Sequence, residues 1–242
     1  MAKFFVDNQF IKDDKVFING ENKKHMANVL RLKIGDNIEI SSGDGFDYIC
    51  QIEQITETEV VAKIIDCFGN ESEPKIKITL YQGLPKAEKM ELIIQKCVEL
   101  GIDKIVPVNT DRCIVKLAGK EDKKIARWNK ISEAAAKQSR RGKIPIVEPV
   151  LNFEKAIEKA KCDDLIIIPY EKEQNNSLKT VVKNFKGKSI SIFIGPEGGF
   201  SEKEIDFAIK NNVMPITLGK RILRTETAGF VTTAILLYEL EG

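Results

Sequence analysis

The chain has 242 residues, 43% hydrophobic and 31% charged, with a formal net charge of +2, enough apolar material for one large or two modest globular domains. A single histidine, His25, excludes histidine triads and multi-histidine metal sites, and five dispersed cysteines without a CxxC pair exclude a disulfide framework and a zinc site. The start, "MAKFFVDNQFIKDD", lacks the apolar stretch of a signal peptide, and no apolar run approaches the roughly 20 residues that span a bilayer, so a cytoplasmic protein with neither membrane nor metal partner is expected.

Residues 1–72 read as short alternating runs, "KFFV", "KVFI", "NIEISS", "FDYICQIEQI" and "EVVAKIIDCF", parted by the turn signals "NG", "IGDN" and "SGDG". With one short helix over 23–30, they predict a small antiparallel β-barrel domain. The rhythm changes after the polar breaker "GNESEP", and residues 73–242 form the second predicted domain. Its strands "KIKITLYQGL", "IDKIVPV", "IPIVEPV", "DLIIIPYE", "SISIFI" and "VMPITLG" alternate with helical segments, the last being "TAGFVTTAILLYEL". That alternation predicts an α/β domain with a mostly parallel sheet covered on both faces. On the long helix, Trp128 shares a face with Ile125 and Ile131, which favours core or dimer packing over base stacking.

Charge is unevenly spread. Residues 1–70 carry 8 basic and 12 acidic side chains, a net of −4, whereas the rest carries 30 and 24, a net of +6. Bulk attraction for nucleic acid would therefore come from the carboxyl-terminal part. The first part offers local spots such as Lys23, Lys24, Arg31 and Lys33 in "KKHMANVLRLK", a pattern that also fits a solvated face.

Two loops carry the chemistry. "IGPEGGFSEKE" runs from a strand end into a helix whose start is marked by Ser201 and Glu204 at capping-box spacing, with Phe200 and Ile205 placed as a hydrophobic staple. The carboxyl edge of such a sheet is where ligands bind. Phosphate fits poorly: Pro196 removes a donor, Glu197 adds a negative charge, and neither GxGxxG nor Gly-Lys-Ser/Thr is present. A neutral or cationic ligand, with adenine and ribose hydroxyls bonded to backbone, suits the loop; glycines that merely permit a tight turn are the alternative. In "LGKRILRTETAGF" the apolar pair Ile222 and Leu223 lies between Arg221 and Arg224. The pair either covers a planar ligand while the arginines face an electron-rich or phosphorylated second substrate, or plugs the sheet edge while Arg224 pairs with Glu226.

Together "IGPEGGFS" and "LGKRILRTETA", at this spacing near the end of the chain, resemble the SPOUT-class RNA methyltransferases. Within that class the chain is similar to the bacterial RsmE family, which methylates N3 of a uridine in 16S ribosomal RNA. "FFV", "HMANVLRLKIGD", "LPKAEKMELIIQKCVELG", "DRCIVK" and "EAAAKQSRRGKIP" match that family's blocks in order. The resemblance implies a PUA-like RNA-binding domain, a catalytic domain with a carboxyl-terminal trefoil knot, homodimers, and the small ribosomal subunit (30S) as substrate. It implies S-adenosylmethionine as cofactor, cradled by Ile194, Gly195, Pro196, Glu197, Gly198 and Gly199, by Leu218, Gly219, Ile222 and Leu223, and by a third wall of Pro169, Tyr170 and Glu171. One departure is Lys3, where the family has arginine, which keeps the charge but loses the bidentate fork.

Within that reading Arg224 is expected to stabilise the anionic uracil through its carbonyl oxygens, with Glu197 or water taking the N3 proton. Lys3, His25, Arg31, Lys33, Arg112, Lys116, Gln138, Arg140 and Arg221 are the expected RNA contacts, since basic residues from several segments must track phosphates. A binding-only ribosome-assembly module, and methylation at another RNA position or a ribose 2′-hydroxyl, stay open. A dinucleotide-dependent oxidoreductase lacks its fingerprint here.

Overall fold

The computed structural model describes residues 1–241 apart from 44, 116 and 118, and the chain forms two units. The first unit comprises Met1–Glu73 together with Ala136–Ile144. Its elements are β1 (Lys3–Phe5), β2 (Ile11–Lys12), β3 (Lys15–Ile18), α1 (Gly20–Lys24) running into a π-helical turn (His25–Val29), β4 (Asn37–Ser41), β5 (Phe46–Ile55) and β6 (Val60–Gly69). The strands pair in the order β1-β4-β5-β6-β3-β2. Alternation places Val16 and Ile18, Ile38 and Ile40, Cys50 and Ile52 in one buried cluster with Phe4 and Met26. Register shifts at Ile49/Cys50 and Ile52/Gln54 interrupt the long β5–β6 pairing, and bulges of this kind bend and twist a strand, curling the sheet. The expected barrel is corrected in one respect: β1 runs parallel to β4, so the sheet is mixed.

A buried charge cluster ties this unit together. The Lys3 ammonium lies 2.7 Å from Asp47 and 3.2 Å from Glu39, with its side chain 3% exposed. Arg141 grips Glu73 through two hydrogen bonds, of 3.0 and 2.6 Å. Removing one member of a buried pair leaves an uncompensated charge and costs roughly 3–5 kcal/mol.

The second unit comprises Pro74–Ala135 and Pro145–Gly242. It contains β7 (Lys77–Gly83), α2 (Lys89–Leu100), β8 (Lys104–Asn109), the greater part of α3 (Glu121–Gln138), β9 (Ile146–Val147), β10 (Leu151–Asn152), α4 (Phe153–Ala160), β11 (Leu165–Pro169), α5 (Leu178–Asn184), β12 (Ser189–Ile194), α6 (Glu202–Lys210), β13 (Met214–Ile216) and α7 (Thr225–Glu241). All pairings are parallel, in the order β10-β8-β7-β12-β11-β13 with β9 beside β8. The central strands β7 and β12 are buried on both faces along nearly their whole length, their polar Thr79, Gln82 and Ser191 included, as strands covered on both sides are. Tyr81 stacks on Phe193 at 4.4 Å between β7 and β12. Of the strand expected over "IPIVEPV" only β9, Ile146–Val147, forms; Pro149, which cannot donate to a ladder, separates it from β10, which lies beyond the expected run.

From β7 the chain moves to β8 on one side, and β12 later fills the place on the other side, so the order reverses at β7. Open α/β sheets form their ligand crevice at such a point. Trp128 is buried, as core packing requires, and burial pushes the Cys50 and Cys97 thiols up to about 12, marking them as inert core groups. Among the described residues no helix is long and apolar enough to cross a membrane.

Candidate active site

The loop after β12 is shaped by close backbone approach. A Cβ on Gly83, at the end of β7, would lie 2.6 Å from the Pro196 ring, so the two backbones can touch there because Gly83 has no side chain. The loop turns at Gly199, whose φ is +66° and whose N–H donates to the Pro196 carbonyl at 2.9 Å. The chain then enters α6 through the expected capping box, with both the Ser201 and Glu204 bonds present, and Phe200 and Ile205 share one buried cluster. Glu204 also accepts the Asp111 N–H at 2.9 Å, joining this helix start to the end of β8.

A hydroxyl relay locks the second loop to the first. Gln82, wholly buried at the end of β7, donates to Thr225 Oγ1 at 2.9 Å, and Thr225 donates onward to the Gly195 carbonyl at 2.6 Å. The start of α7 is thereby fixed against the glycine-rich loop. The third wall follows β11, where the Tyr170 N–H donates to the Ile216 carbonyl of β13 at 3.0 Å.

These three segments enclose one cavity of about 1010 Å³. Its lining contains every residue expected to cradle a cofactor: Pro169, Tyr170 and Glu171; Ile194, Gly195, Pro196, Glu197, Gly198 and Gly199; Leu218, Gly219, Ile222 and Leu223. Arg221 and Arg224 line it as well. Ile222 is 88% exposed, an apolar side chain held open in a cavity wall rather than plugging the sheet edge. The Arg224 side chain is 82% exposed and stands 3.9 Å from Glu226, a distance that leaves the guanidinium available.

The charges along this wall are arranged about Lys89, near the start of α2. Its ammonium lies 2.9 Å from Glu197 and 3.4 Å from Glu226, and the bond to Glu197 pushes its pKa up. Burial pushes the Glu197 carboxyl up, but hydrogen bonds from Lys89, from its own N–H and from the Lys86 N–H outweigh burial and hold it below the usual carboxylate range. A carboxylate so engaged is ionised and oriented, but is a weaker proton acceptor than a free one. Lys89, Gln82 and Thr225 were not singled out from the sequence. A lysine in the first turn of an amphipathic helix looks like a solvated one, and a hydroxyl relay leaves no local pattern.

The expected RNA contacts divide. His25, Arg31, Lys33, Gln138 and Arg140 are exposed on the first unit, with the His25 ring edge-on to Phe4 at 5.9 Å. Lys3 is corrected: its ammonium is buried in the ion pairs described above and is not presented to a ligand. On the second unit Arg221 is exposed at the cavity, and Arg112 is exposed while donating to the Gly198 carbonyl at 2.9 Å, which places it on the glycine-rich loop. Lys116 lies outside the described residues. No group of three or more His, Cys, Asp or Glu that could hold a metal ion occurs among the described residues.

A parallel sheet with a glycine-rich cradle at its carboxyl edge, in one chain with a curled sheet bearing exposed basic residues, defines a class. Residues 71–237 match the RNA methyltransferase domain family, and residues 18–65 match the RNA methyltransferase PUA domain. More particularly, the chain belongs to the ribosomal RNA small subunit methyltransferase E family. It is 34% identical to that enzyme of Bacillus subtilis (strain 168), over 100% of this chain and 98% of the relative. It is also 34% identical to that of Mesomycoplasma hyopneumoniae (strain 232), over 94% and 95%. A crystal structure of the Neisseria gonorrhoeae enzyme bound to S-adenosyl methionine superposes with a TM-score of 0.87 at 30% identity, covering 98% of this chain and 96% of that one.

Proposed function

We propose that this protein transfers a methyl group from S-adenosylmethionine to N3 of a uridine in 16S ribosomal RNA of the small ribosomal subunit. The observation that carries the reading is the cavity at the ends of β11, β12 and β13, in a chain of this family. Its glycine-rich wall approaches a ligand with bare backbone, its Ile222 offers an exposed apolar face, and its lining carries both Glu171 and Glu173 and the basic Arg221 and Arg224, so that a ligand bearing both signs of charge finds partners. When bound, S-adenosylmethionine supplies a methyl group already activated by its sulfonium.

The residues of the chain then have positioning and electrostatic tasks. Uridine N3 carries a proton and becomes nucleophilic once it leaves. Arg224, whose guanidinium is exposed beside the cavity, donates to the uracil carbonyl oxygens and stabilises the anion as it forms. The proton leaves to solvent water, directly or by way of the Glu197 carboxylate, which Lys89 and the Lys86 N–H hold ionised beside the cavity. Arg112 and Arg221 flank the cavity for the backbone of the RNA, while the first unit offers His25, Arg31, Lys33, Gln138 and Arg140 to it.

Two finer features belong to the same proposal. The first is a trefoil knot: the chain leaves β13 at the sheet edge and returns through loop 217–224 to α7, which packs on α2, β7 and β12 near the sheet centre. The second is a homodimer through α7, a helix apolar on all sides that leaves Tyr238 80% exposed and Ile235 partly so. Primer extension on 16S RNA from treated subunits tests the base. Methylation at N3 blocks Watson–Crick pairing and produces a stop at one uridine, whereas ribose methylation would give no such stop at high nucleotide concentration.

A further inference from the structure

Resting on this RNA-methylating reading, we propose that Lys3, Asp47 and Asn70 are positioning residues for RNA: they form a buried mould that fixes the backbone of Arg140 and presents its guanidinium to a phosphate. Arg140 follows the end of α3 and adopts a left-handed φ of 56°, which a bulky residue keeps only where its surroundings over-determine it. Here they do. The Arg140 carbonyl accepts from Ser72 Oγ at 3.0 Å and from Lys3 Nζ at 3.4 Å. Gly142 is held on both sides, its N–H donating to Glu73 at 2.9 Å and its carbonyl accepting from Ser41 Oγ at 2.8 Å.

Beneath that turn the packing is tight. A Cβ on Gly142 would lie 2.6 Å from Asn70 Cγ. The Asn70 amide donates to Asp47 Oδ2, the same oxygen that receives Lys3 at 2.7 Å. Lys3, Asp47, Asn70 and Gly142 therefore form one contiguous chain, and the Arg140 side chain is left exposed on the outside. A buried ion pair is weak evidence for stability, since apolar side chains of similar volume serve as well. What this one supplies is a single turn conformation, which lowers the ordering cost when Arg140 binds, and the guanidinium fork matches phosphate. The basic residue at position 3 thus acts on RNA through Arg140 without touching it.

The test uses the full-length protein, small ribosomal subunits purified from a strain lacking this gene, and filter binding at several salt concentrations, with S-adenosylmethionine binding measured alongside by calorimetry. Lys3→Met, Gly142→Ala and Arg140→Ala should each weaken subunit binding several-fold and leave cofactor Kd unchanged. In the Arg140→Ala background neither should weaken it further, because contacts that act through one another are non-additive. Lys3→Met should also lower the salt slope by about one, the loss of one phosphate contact, and Lys3→Arg should retain wild-type binding. Additive losses, or wild-type binding in Lys3→Met, would overturn the proposal. Should Lys3→Met not fold, Gly142→Ala, which removes no charge, decides by the same criterion. A wild-type protein that transfers no methyl to the subunits would overturn the parent reading along with this one.

Discussion

In the cavity of the second unit, Gly83, Gly199 and Thr225 fix two loops through backbone approach and a hydroxyl relay, whereas in the first unit residues 140–142 are fixed by Lys3, Asp47, Glu73 and Arg141. The first construction turns bare backbone and an apolar side chain, Ile222, into the cavity. The second hides its charges inside and leaves a single guanidinium outside. A cofactor held largely by backbone should depend on salt only weakly, while a phosphate-facing surface should weaken steeply as salt rises.

The sharpest break in that comparison is Arg224→Ala. Loss of an anion-stabilising donor costs about 100-fold or more in turnover, while the cofactor, held by backbone, should bind as before. Single-turnover rates and calorimetry on the same preparation check this, and equal turnover would remove Arg224 from the mechanism. Next comes Gly83→Ala. It alters no charge but forces a methyl into the Pro196 ring, and overpacking of this kind costs about 1–3 kcal/mol. Chemical denaturation should register the loss together with weaker cofactor binding; an unperturbed site would show that close approach is dispensable.

Ile222→Ala should be smaller and more selective. The side chain is exposed in the protein alone, so thermal stability should hold, and the apolar area lost on binding corresponds to about tenfold in cofactor affinity. Equal affinities would mean that Ile222 covers something else. The smallest effect belongs to Glu197. Its folded carboxyl lies below the usual carboxylate range, so its contribution to stability is present above the ordinary carboxylate pKa and is lost as pH falls through the lowered value. Urea unfolding of wild type and Glu197→Gln should therefore differ slightly near neutral pH and converge in acid.

How much of this was legible follows the same division. The capping box at Ser201 and Glu204 depends on residues close in sequence, and each of the two loops carries its own motif, so these left local patterns. The parallel pairing of β1 with β4, the relay from Gln82 to Thr225, and the mould beneath Arg140 join residues far apart in the chain. Periodicity carries no record of such partners. Lys3 illustrates the point: a basic residue at the start of an RNA-binding domain reads as a contact, and burial beside Asp47 makes it a support. The membership of residues 136–144 in the first unit was hidden for the same reason, since a continuous helical pattern runs through Ala136 to the end of α3.

The most direct measurement is transfer of labelled methyl from S-adenosylmethionine to small ribosomal subunits purified from a strain lacking this gene, followed by nucleoside analysis of the RNA. The account predicts 3-methyluridine at one position of 16S RNA, abolished by Arg224→Ala. Label in another nucleoside, or no label from a protein that binds the cofactor, would contradict it.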